Sequence, residues 1–170
     1  LTHWPDNAVF KEDPMHSRAS RGITLVELLV VIALVAIVAS FAAPSFTGSL
    51  RSNRVTAALS ELNGLFQYAR AEALTRAASI AVARAGDTWN VTSGSQTLRQ
   101  VTLSGVTVAT NTANVTLRAN GTLNTNLVAL LCADNQAAGA QKLLIDRTGR
   151  SRTPAQGKDE DGKALTQCTL

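Results

Sequence analysis

The strongest constraint on this chain is a run over residues 23–43 that is apolar except for Thr24, Glu27 and Ser40. A bilayer core takes about 20 helical residues, so the run is predicted to be a transmembrane helix. A secretory signal has a shorter apolar core with its small-residue cleavage site behind it, whereas here the suitable small residue, Gly22, stands in front. Cleavage after Gly22 would keep the helix on the chain and remove only a basic leader. Glu27 then needs an explanation. A carboxylate costs on the order of 3 kcal/mol at the centre of a membrane helix, less near its end, and asks for a partner.

Residues 1–14 have mixed composition and no apolar core, and Met15 opens a short stretch holding Arg18 and Arg21 but no acid. Met15 is the expected natural start, and residues 1–14 are set aside from the fold. The two arginines before the apolar run hold that end in the cytoplasm by the positive-inside rule, which sends the bulk of the chain outward.

The stretch Arg21-Gly22-Ile23-Thr24-Leu25-Val26-Glu27-Leu28-Leu29 resembles the class III signal of type IV pilins and pseudopilins. The resemblance implies that a prepilin peptidase cuts after Gly22 and methylates Ile23 as the new first residue. It implies further that Glu27 pairs with the N-terminal amine of a neighbouring pilin or pseudopilin subunit during assembly. Ile23 stands where the family usually has Phe. Pro44 sits where many pilins carry a helix-loosening proline, and proline does interrupt the backbone ladder.

Over residues 44–78 the helical pattern continues but becomes one-sided. Val55, Leu59, Leu62, Phe66, Ala69 and Ala73 recur at spacings of three and four and define an apolar stripe. Arg54, Glu61, Arg70, Glu72 and Arg76 are expected on the outside, with Glu72 and Arg76 as an i,i+4 pair. Gly48 and Gly64 are expected to weaken the helix by about 1 kcal/mol each. Within this segment Ala69-Arg70-Ala71-Glu72-Ala73 is similar to the Ala-Arg-x-Glu-Ala signature of the GspH/FimT branch of pilin-like proteins, where Arg70 and Glu72 have helix-to-head packing as their alternative to any chemistry.

After Ser79 the period changes to two. Residues 80–83, 88–92, 97–103, 106–108, 114–118, 127–131 and 142–146 are predicted strands, separated by turn residues such as Gly86-Asp87, Ser93-Gly94-Ser95 and Asn120-Gly121. The fold class is therefore α+β: a long N-terminal helix packed on an antiparallel sheet or small sandwich that forms a periplasmic head over residues 79–170. Two strand-turn units, Leu117-Arg118-Ala119-Asn120-Gly121-Thr122 and Ile145-Asp146-Arg147-Thr148-Gly149-Arg150, look alike without amounting to a repeat.

Composition narrows the function. His3 and His16 both precede Gly22, so a processed chain has no histidine and no Ser-His-Asp or Cys-His machinery. No P-loop pattern occurs, and no cofactor is implied. The two cysteines, Cys132 and Cys168, lie beyond the apolar run in what should be an oxidising compartment. A disulfide between them would pin the C-terminal tail to a strand, and the other reading is two unpaired thiols. They are too few ligands for a metal site. Asp159-Glu160-Asp161, beside Lys158 and Lys163, reads as a solvated loop, with a calcium contact as the alternative.

Residues 1–22 hold three basic and three acidic side chains of the chain's sixteen and twelve, so the net charge of +4 survives processing. That charge permits an anionic partner. Its sharpest local concentration is Arg147-Thr148-Gly149-Arg150-Ser151-Arg152. In an extended segment Arg150 and Arg152 project to one side, and Arg147 with Lys142 would widen the patch. Guanidinium forks suit phosphate oxygens, and with no aromatic neighbour to stack bases the patch should bind a nucleic-acid backbone with little sequence preference. Gly149-Arg150-Ser151-Arg152 also resembles the Gly-Arg-x-Arg motif of FimT-type minor pilins. That resemblance implies binding of extracellular DNA for natural transformation. The competing expectation is a structural minor pilin, or a GspH-type pseudopilin of type II secretion, whose arginines serve subunit contacts or pair with Asp146 and the acidic run.

Overall fold

The computed structural model describes residues 22–170, apart from the side chains of residues 42–45. Met15, Arg18, Arg21 and the rest of the leader lie outside the described residues, as does the Pro44 side chain. The chain divides into two compact units, one ending at Ser40 and the other spanning Phe41–Leu170. Helix α1 is Leu25–Arg76.

Thr24 starts α1. Its carbonyl accepts the first intrahelical bond, from the Leu28 amide at 3.1 Å, and its hydroxyl accepts the Glu27 amide at 3.1 Å, a first-turn donor that the helix itself leaves without a partner. Every residue over 25–41 is exposed in the single chain. By length and composition no single helix among the described residues qualifies as a membrane span; Leu25–Phe41 and Phe46–Arg76 qualify only as a pair.

In the second unit the expected stripe is buried. Val55, Leu59, Leu62, Phe66, Ala69 and Ala73, joined by Ala58 and Leu65, belong to one core cluster that also holds the inner faces of two sheets. The helix stops two residues before the expected end. Ala77 adopts φ +48°, and the Ala78 amide reaches back to the Ala73 carbonyl at 3.2 Å, a Schellman closure built on alanine where glycine is usual.

Strands β1 (Ile80–Ala85), β2 (Thr88–Ser93), β3 (Gln96–Thr102) and β5 (Asn114–Leu117) form one antiparallel sheet in the order β3-β2-β1-β5. Strands β4 (Thr107–Thr110), β6 (Leu127–Cys132), β7 (Gln141–Ile145) and β8 (Ser151–Arg152) form a second in the order β4-β6-β7-β8. Alternate residues Ile80 and Val82, Trp89 and Val91, and Val115 and Leu117 turn inward from the first sheet, and Leu127, Ala129, Leu131, Leu143 and Ile145 from the second. Strand β6 is buried on both faces. On the far side Leu130, Cys132 and Ala140 meet Ala109 and the tail residues Leu165 and Cys168, which is why β6 is an almost unbroken apolar run.

Candidate functional site

The arginine-rich segment folds as a tight turn that closes the β7–β8 hairpin. The Asp146 amide donates to the Arg150 carbonyl at 3.1 Å, and the Gly149 amide donates to the Asp146 carbonyl at 2.9 Å. One Asp146 carboxylate oxygen accepts the Thr148 amide, the Thr148 hydroxyl and the Arg150 amide at 2.9, 2.5 and 3.1 Å. These bonds favour the ionised form. The Thr148 hydroxyl contributes most, then the Arg150 amide, and the Asp146 pKa is held below the ordinary aspartate value. The turn's carboxylate is thus engaged by its own loop.

Beyond the turn β8 pairs with β7, with Ser151 opposite Ile145 and Arg152 opposite Leu144. Arg150 and Arg152 are exposed while Ser151 between them is half-buried, the alternation expected of an extended strand. Arg147 is exposed as well. Among the described residues the salt bridges are Arg51–Asp134, Arg76–Glu72 and Lys142–Glu160, so none of Arg147, Arg150 and Arg152 is held by a carboxylate.

Lys142 does not widen this patch as a free cation. Its side chain is only 13 % exposed and its ammonium lies 2.6 Å from Glu160, whose pKa that bond holds down. One acid of the expected solvated run is therefore a structural partner of β7.

Arg70 departs from the expected outside placement and agrees with the packing reading of the Ala-Arg-x-Glu-Ala stretch. It does not lie on the outside of the helix; its guanidinium is inserted beneath the turn and donates to the Gly149 carbonyl at 3.1 Å, while its Nε is buried without a hydrogen-bond partner. A Cβ at Gly149, which has φ +81°, would sit 3.0 Å from Arg70 Nε and Cζ and 3.0 Å from the Gly121 carbonyl oxygen. A Cβ at Gly121, with φ +75°, would meet Arg70 Nε at 3.2 Å. Two glycine turns close on one arginine, and only glycine combines that backbone with that clearance.

At the other end Gly22 and Ile23 are exposed and precede the helix, and Glu27 sits exposed in its first turn. Among the described residues the Glu27 carboxylate has no ion-pair partner. The Thr24 cap was not anticipated from the sequence, although Thr24-Leu25-Val26-Glu27 carries the Ser/Thr-x-x-Glu signal of a helix start. Cys132 and Cys168 form a disulfide with Cα atoms 6.1 Å apart, closing a loop between positions separated by 36 residues. In the chain-entropy account such a loop stabilises by about 4 kcal/mol. No cluster of three or more His, Cys, Asp or Glu suited to a metal occurs among the described residues.

The model of the type II transport protein GspH family matches residues 58–149, more than half of the chain, from the buried helix stripe to the glycine of the arginine turn. The chain belongs to the GspH family. The prokaryotic N-terminal methylation motif matches residues 17–43 of this GspH-family chain. Two crystal forms of the type IV minor pilin FimU of Pseudomonas aeruginosa are similar in structure. The first is 26% identical with a TM-score of 0.57, covering 68% of this chain and 96% of that one; the second is 24% identical with a TM-score of 0.55, covering 67% and 99%, and bears on the fold alone. No curated protein matches. This GspH-family protein is accordingly a minor pilin or pseudopilin, a structural subunit and not an enzyme. Its methylation motif implies processing by prepilin peptidase and anchoring in the inner membrane before assembly with other pilin subunits into a pilus-like fibre.

Proposed function

We propose that this subunit is a minor type IV pilin that binds the phosphate backbone of extracellular DNA for uptake in natural transformation, through Arg150 and Arg152 with Arg147 beside them. One observation carries the reading: three exposed guanidinium groups stand on one hairpin with no salt bridge to a carboxylate among the described residues, and the acid in the turn is engaged by the Thr148 hydroxyl and by the loop's own amides. A cluster built for subunit contacts through ion pairs has the same composition, and likeness to a minor pilin favours that structural reading as the alternative. Residues 141–170 contain no aromatic side chain, so bases have nothing to stack on there and recognition is of charge and spacing.

The reading is tested with the full-length protein in neutral detergent micelles, measuring its affinity for a short DNA duplex at several salt concentrations. Each phosphate contact contributes about 0.9 to the slope of log K against log salt. Arg150→Ala/Arg152→Ala should weaken binding and flatten that slope by about 2 while the fold is kept. A parent protein that does not bind DNA would leave the structural subunit as the function.

A further inference from the structure

The likeness between the two strand-turn units, residues 117–122 and 145–150, is spatial as well as sequential. Each turn ends on a left-handed glycine, Gly121 and Gly149, and both glycines close on Arg70. The turns are also joined directly, since the Leu123 amide donates to the Arg147 carbonyl at 2.8 Å. In the first turn the Gly121 amide donates to the Arg118 carbonyl and the Arg118 amide to the Thr122 carbonyl, each at 2.8 Å. This fixes the Arg118 backbone in place, and its side chain is held too: Nη1 donates to the Leu123 carbonyl at 3.3 Å.

One residue, Leu123, therefore links the Arg118 guanidinium to the Arg147 backbone. Adding standard backbone dimensions puts them within roughly 10 Å, about one Debye length at 0.1 M salt. Arg118 is exposed, forms no salt bridge among the described residues, and keeps four of its five N–H donors free. We propose that Arg118 is a further phosphate-binding residue, so that the DNA-binding face spans both turns and adds a cation beside the edge strand of the first sheet to the three on the hairpin of the second. Held by its carbonyl anchor, the Arg118 fork loses less side-chain entropy on meeting a phosphate than a freely rotating arginine would. Arg70, half-buried beneath both turns and without a carboxylate partner among the described residues, adds a fixed positive charge to the same face.

This inference rests on the DNA-binding reading, and its test separates the two. Duplex binding is measured across salt for the parent, Arg118→Ala, Arg118→Lys and Arg99→Ala. Arg99 is a control on β3, the far edge of the first sheet, three strand spacings or about 14 Å from β5. Arg118→Ala is expected to keep the cooperative fold, with a small fall in melting temperature from the lost bond to the Leu123 carbonyl, and to flatten the salt slope by about 1; Arg118→Lys should keep most of the slope and Arg99→Ala should match the parent. A parent-like slope for Arg118→Ala, alongside loss of binding in Arg150→Ala/Arg152→Ala, would overturn the role of Arg118 alone. Equal flattening by Arg99→Ala would overturn it as a diffuse charge effect. A parent that binds no DNA removes both readings together.

Discussion

Two parts of α1 use similar residues to opposite ends. Over 25–41 the helix is apolar all round and exposed on every side, with Leu29 at 52 % accessibility; in the second unit Leu62, Leu65 and Ala69 are at 0 %. The difference teaches how to read periodicity. Apolar residues spaced three and four apart mark a partner within the same chain, whereas an apolar run without a polar face requires a partner outside it, a bilayer or neighbouring subunits.

The largest effect that could break this contrast is expected at Leu62. Leu62→Ala should destabilise the head by about 2–5 kcal/mol, read from denaturant unfolding with the buried Trp89 as fluorescent probe. Arg70→Met keeps the stem but strands the Gly149 carbonyl, and should cost about 1–3 kcal/mol in the same assay. Glu72→Ala removes an i,i+4 pair on the half-exposed side of the helix and should cost only about 0.3–0.5 kcal/mol. Leu29→Ala should leave head unfolding within about 0.5 kcal/mol of the parent and lower subunit incorporation into filaments instead. A head destabilised as much by Leu29→Ala as by Leu62→Ala would erase the distinction.

The stripe from Val55 to Ala73 and the strands around Ile80, Trp89 and Leu127 were legible because local period reports burial directly. The helix end was not. Ala77 takes a left-handed conformation that alanine does not advertise, so the pattern ran on to residue 78. Strand β8 is two residues long and has no period to detect. In the site, the exposure of Arg150 and Arg152 followed from the turn around Gly149, but the assignments of Lys142 and Arg70 depended on contacts far apart in sequence. Lys142 meets Glu160 across 18 residues and Arg70 meets Gly149 across 79. Arg70 occupies a polar slot of the helical pattern, and only the arrival of two glycine turns turns that slot inward. The mutual approach of those turns was present in the sequence as no more than a faint echo between two hexapeptides.

The disulfide acquires a mechanical meaning once the arginine hairpin is seen as the place where a pulled ligand would take hold. Strand β8 is joined to the sheet by two residue pairs and would peel from its edge under modest tension. Load on the hairpin has two exits along the backbone. Toward the N-terminus it passes straight into β7, and toward the C-terminus it runs through the tail to Cys168, where the sulfur bridge hands it to Cys132 at the end of β6. Strands β6 and β7 are the two inner strands of their sheet and hydrogen-bond to each other along their length. Under the proposed DNA contact, a tug on the arginines would be split between adjacent anchored strands.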